Sequence, residues 1–182
     1  YQVQTANELF DMTVGLFYNS DTVSGSKRAG DGLTTKLEFT SQSLMMREKV
    51  NIYRQYAQLL LGNASSQFTS PGGSSTATDN IDEALFINFK RLFVRDGIKR
   101  ETFAMRFFTS ASDCRHGKSN LWDNQPSGSV IFTDVGSATT IEQSQTGGSV
   151  GNLKNASNTS QNVGLLYYQH GIAVLDLAKV TS

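Results

Sequence analysis

The sequence predicts an α+β fold: two amphipathic helices packed on a mainly antiparallel β-sheet, with long Ser/Gly-rich loops between the elements. Three observations lead there. Two segments before Gly97 repeat their apolar residues at helical spacing. After Gly97 the period falls to two, the signature of strands. Ser, Thr, Gly and Asn supply 66 of the 182 residues, massed between the patterned segments, where such side chains build turns and not core. Helices first and strands later is the order of an α+β domain.

Taken along the chain, residues 6–18 carry Leu9, Phe10, Val14, Leu16, Phe17 and Tyr18 and predict a short helix or a strand that packs onto the domain. Residues 19–35 have the composition of an exposed flexible loop. Residues 1–35 are therefore expected to form an N-terminal arm and loop, and residues 36–182 a single α+β domain. In Lys36 to Thr40, Leu37 and Phe39 fall on one side of an alternating stretch.

Leu44 to Leu61 is the strongest helical segment. Ser43 suits the N-cap, because its hydroxyl can accept a bond from a first-turn amide. Met45, Ile52, Tyr56 and Leu59 form one apolar stripe, and Met46, Val50, Tyr53 and Leu60 its neighbour. Gly62 follows where a left-handed stop belongs. After a Ser/Thr/Gly linker at Ser65 to Thr78, a second helix is expected from about Asn80 to Asp96. Asp79 would cap it, Asp82 and Glu83 would face its dipole, and Leu85, Phe86, Phe89, Leu92 and Phe93 would form its buried face.

Beyond Gly97, Phe103, Met105 and Phe107 alternate within Lys99 to Phe108, which reads as a strand, and Ser129 to Val135 reads as another. Ser110 to Ser127 and Ser137 to Gln161 read as polar loops. The chain then forms a hairpin, VGLLYYQ and IAVLDLA about a two-residue turn at His170-Gly171, with Gly171 supplying a positive φ.

Composition narrows the function more than any motif does. Sixteen basic and 16 acidic side chains cancel, removing the broad attraction of a nucleic-acid or anionic-membrane binder. No apolar run is long enough to span a bilayer. One cysteine excludes an intrachain disulfide framework, a cysteine-rich zinc site and a CxxC pair, and two histidines leave little for a metal. Cys114 and His116 form C-x-H in a loop, where residues two apart point different ways. His170 is explained by its turn, and Asp79, Asp82 and Glu83 by helix capping. Asn63, Asn155 and Asn158 begin N-x-[ST] sequons of the sort chance produces in an Asn- and Ser-rich chain. Lys90, Arg91, Arg95, Lys99 and Arg100 crowd into eleven residues. Asp96 and Glu101 lie among them, so they read as a solvated or partner-facing helix surface and not as a nucleic-acid site. No catalytic constellation emerges, and no cofactor, metal or enzymatic activity is expected.

Four segments occur in a recognisable order: SLMMREKVNIYRQYAQLLLG, IDEALFINFKRLFVRDGIKRETFAMRFF, VIFTDVGS and VGLLYYQHGIAVLDLAK. Together, over roughly residues 33–182, the chain resembles virion structural proteins of large tailed bacteriophages, particularly marine and cyanobacterial T4-like ones. The resemblance carries no catalytic residues. It implies a non-enzymatic virion protein of the tail, baseplate or connector region, or a tail-fibre-associated one. Such a protein assembles in the host cytoplasm with other virion proteins and copies of itself, without membrane or nucleic acid. Similar chains are longer, which fits a sequence opening on Tyr1 as a processed product or part of a longer protein. On this reading Lys90, Arg91 and Arg95 are the candidate partner-contact surface. Residues 1–32 form an arm whose deletion weakens assembly and leaves the domain folded. The alternative is a carbohydrate- or cell-surface-binding module of a receptor-binding fibre, with Trp122, Tyr167 and Tyr168 stacking on sugar rings.

Overall fold

A computed structural model describes residues 8–17, 44–70, 80–90, 96–108, 129–137, 142–144 and 146–180. Eight strands form one sheet: β1 (Phe10–Leu16), β2 (Glu83–Phe89), β3 (Ala104–Phe108), β4 (Ser129–Thr133), β5 (Glu142–Gln143), β6 (Ser149–Asn155), β7 (Asn158–Tyr167) and β8 (Ile172–Asp176). Seven run in the spatial order β1-β2-β8-β7-β6-β4-β3, and β5 pairs with β6 beside β4. Every pairing among them is antiparallel. Helix α1 (Leu44–Leu61) packs on one face, and a single turn, α2 (Leu177–Val180), follows β8. The fold is α+β, as expected, with the sheet predominant.

Both faces of the sheet are buried at its centre. On the α1 face Ala84, Phe86, Val150, Leu165, Tyr167, Ile172 and Val174 pack with Tyr53, Ala57 and Leu60 of α1 and with Phe68. On the other face Leu85, Ile87, Leu153, Val163, Leu166, Ala173 and Leu175 form a second core with Phe132, Tyr168 and the half-buried Phe103, Met105 and Phe107. Phe89 of β2 meets Phe103, just before β3, at a centroid distance of 5.7 Å. These residues belong to opposite ends of the strand order, so the sheet curls around the second core as a half-barrel.

The first helix lies where its periodicity places it, and Gly62 ends it with φ +75°. Of its two apolar stripes, the one with Val50, Tyr53 and Leu60 is buried, whereas Met45 and Leu59 of the other are exposed.

The expected second helix is corrected: residues 83–89 are strand β2, between β1 and β8. Ala84 and Phe86 enter one core while Leu85 and Ile87 enter the other. A strand buried on both faces needs apolar residues at successive positions, and a run of that kind also satisfies helical spacing. The capping roles of Asp82 and Glu83 go with the helix. Asp82 instead accepts a 2.6 Å hydrogen bond from Gln67 Nε2, and Glu83 opens β2.

A second correction concerns Ser137 to Gln161, which holds β5, β6 and the start of β7 and is not one long loop. The polar start of β7 is exposed and its end buried. Ala156-Ser157 turns the chain between β6 and β7, with Ser157 N donating to Asn155 Oδ1. The last hairpin forms as expected, but its loop has four residues: Tyr167 pairs with Ile172, Gly171 N donates to Tyr167 O, and Gly171 has φ +66°. Residues 10–16 are a strand paired with β2 over their whole length. Ser43, Asp79, Cys114, His116, the loop 19–35 and the stretch 36–40 lie outside the described residues.

Candidate functional site

Of the candidate partner-contact residues Lys90, Arg91 and Arg95, Lys90 alone is described; Arg91 and Arg95 lie outside the described residues. Lys90 follows a strand and not a helix. Its Nζ lies 2.7 Å from Asp11 and 3.4 Å from Glu8, and these carboxylates hold its pKa above the ordinary lysine value. Arg100, from the same basic run, donates to Ser149 Oγ at 2.9 Å and lies over the Tyr168 ring. Lys90 and Arg100 are thus engaged within the chain.

The tyrosines proposed for sugar stacking are also corrected. Tyr167 and Tyr168 are each 3% exposed and enter different cores, so neither offers a ring face to a ligand. Trp122 lies outside the described residues. Tyr168 leaves the end of β7 and donates its hydroxyl to Asp134 Oδ2 at 2.9 Å. Its single proton being so used, the 2.7 Å contact with Ser137 Oγ has the serine as donor. Asp134 is fully buried and also accepts from the backbone N–H groups of Glu101 and Phe103. Burial above all, with the Asp134 carboxylate adding to it and Ser137 opposing, pushes the Tyr168 phenol up to about 12. The carboxylate's partners all come from the chain, and the network ties the entry of β3 to the turn after β4.

Among the described residues no group of three or more His, Cys, Asp or Glu side chains is placed to hold a metal ion, and no helix is long and apolar enough to cross a membrane. A shallow, open depression on the outer side of α1 is lined by Asn51, Arg54, Gln55 and Gln58.

The surface feature that stands out is the outer edge of β1. In its ladder with β2, Lys90 N donates to Leu9 O and Phe17 N to Asp82 O. Odd-numbered residues of β1 therefore bond inward, and Phe10, Met12, Val14 and Leu16 turn their N–H and C=O groups outward. No described strand pairs with that edge. Leu9, Phe10 and Met12 are 46%, 40% and 50% exposed, and Leu44 and Met45, in the first turn of α1, are about 70% exposed. Gly15 lets α1 approach β1 closely, since a Cβ there would lie 2.7 Å from the Phe86 ring and 3.1 Å from Tyr53 Cα. The apolar residues 9–17 were visible in the sequence as a packing segment. Nothing in one sequence showed which of its edges would pair with β2.

Comparison with protein-family models, curated proteins and solved structures returns no match.

Proposed function

We propose that this chain is a non-enzymatic structural part of a tailed-phage particle, in the tail, baseplate or connector region, where it acts by contact with other virion proteins and with copies of itself. The observation that carries the reading is the exposed apolar side chains Leu9, Phe10 and Met12 along a strand edge that no described strand covers, where a partner would bury them. The ordered resemblance of four segments to virion proteins adds the kind of assembly. The reading requires no cofactor.

Quantitative mass spectrometry of particles purified from the source tests it. Peptides of this chain at a fixed copy number are expected. Their absence from intact particles would overturn the assignment.

A further inference from the structure

We infer that the outer edge of β1 is a self-association site, where a second copy of this chain adds its own β1 antiparallel to the first across a two-fold axis at Thr13. This deepens the assembly reading by naming a partner, but it stands on the strand edge itself.

Natural edge strands are commonly protected by Lys, Pro, a bulge or very short length. β1 has seven residues, no Lys and no Pro, and it pairs with β2 without a register break. Its one charged side chain, Asp11, is already neutralised by Lys90. The opposite edge of the sheet differs: β3 has five residues with Arg106 at its centre. β1 is therefore the edge suited to pairing.

Register follows from the ladder. The outward groups belong to residues 10, 12, 14 and 16, so an antiparallel copy that uses all of them sets Phe10 against Leu16 and Met12 against Val14 of the second copy, forming about eight backbone hydrogen bonds. In that register Asp11 faces Gly15, so the two Asp11 carboxylates do not oppose one another. Thr13 meets its own copy in a non-hydrogen-bonded pair, the type with the closer side chains. Thr13 Oγ1 is buried without a hydrogen-bond partner in the single chain. A hydroxyl both donates and accepts, so two of them across a two-fold satisfy each other after a χ1 rotation. The axis stands perpendicular to the sheet and leaves both α1 helices on one face, with the exposed Leu44, Met45 and Met46 of each copy on the same side.

The test uses the full 182-residue chain. Sedimentation equilibrium is expected to give twice the 19.9 kDa chain mass, and Met12→Lys, which places a charge on the shared edge, is expected to return it to one chain mass with unchanged circular dichroism. Should that variant fold poorly, cross-linking decides. In a Cys114→Ser background, Thr13→Cys is expected to form a covalent dimer on mild oxidation, because paired Cβ atoms about 4.5–5.5 Å apart lie near disulfide range. A chain that stays monomeric overturns the inference, as does a dimer that neither cross-links through Thr13→Cys nor responds to Met12→Lys. A dimer from a chain missing from particles would leave this pairing standing and remove the virion assignment. A monomer recovered in particles would do the reverse.

Discussion

Asp134 shows how much one buried side chain holds. Its carboxylate accepts from two backbone amides and a phenol, and one of those amides belongs to Glu101, whose φ of +60° is uncommon for a residue with a side chain. Asp134→Asn keeps the volume but turns an NH2 group toward donors, so it is expected to lower stability by about 1.5–3 kcal/mol, the range for hydrogen bonds to a charged group. A urea titration followed by circular dichroism checks it; an unchanged midpoint would mean the network carries no stability. The same cluster sets an alkaline limit. Tyr168 ionises near 10 when unfolded and at about 12 when folded. Above pH 10 the unfolded chain therefore binds fewer protons than the folded one. The stabilising contribution of Tyr168 is complete below pH 10 and is lost as pH rises to about 12. Burial raises the Tyr53 phenol in the same direction. Phenolate absorbance followed together with circular dichroism is expected to show these tyrosines ionising only as the fold opens. None of this was legible in the sequence, because the partners of Asp134 lie more than 30 residues away along the chain.

At the scale of elements, legibility depended on how each segment is buried. α1 buries one stripe and exposes the rest, so its period survived in the sequence; β3 and β4 were likewise located by alternation or an apolar run. β2 is buried on both faces, which erases alternation and imitates a helix. Only the start of β7 escaped the sequence reading, and for the opposite reason, since that polar half stands in water and looks like a loop. What joins α1 to the sheet is a contact between elements that no local pattern shows. Tyr53 donates to Ile81 O at 2.8 Å and accepts from Phe68 N at 3.0 Å, linking the helix to the segment after it and to the approach to β2. Tyr53→Phe leaves a buried carbonyl and a buried amide without that partner and is expected to cost about 1–3 kcal/mol. Gly15→Ala, on the other side of the same contact, forces a methyl against Phe86 and the α1 backbone and is expected to cost about 1–3 kcal/mol by overpacking. Denaturation midpoints of the two variants measure both effects. A Gly15→Ala chain as stable as the parent would show that α1 can move away from β1 freely.

For the whole molecule, the sheet order is the feature least visible from the chain. β2 and β8 are neighbours although more than 80 residues separate them, and the curl brings Phe89 against Phe103. Within that order β1 covers the outer edge of β2 along seven residue pairs and seats Tyr53 over Gly15. The span 1–32, expected from sequence to be dispensable for folding, therefore contains a strand of the sheet. Removing residues 1–17 would uncover the backbone groups of Ala84, Phe86 and Asn88 on an apolar strand, the kind of edge that recruits other chains. The truncated chain is expected to aggregate or to lose a single cooperative thermal transition, measured by circular dichroism with light scattering. Met12→Lys, which alters the outer edge but spares the β1–β2 ladder, is expected to retain that transition. Were the truncated chain to stay soluble and melt like the parent, β1 would be an appendage. The contrast between truncation and Met12→Lys separates the two sides of the strand: the inner one closes the sheet, and the outer one is the edge on which the proposed second copy would add.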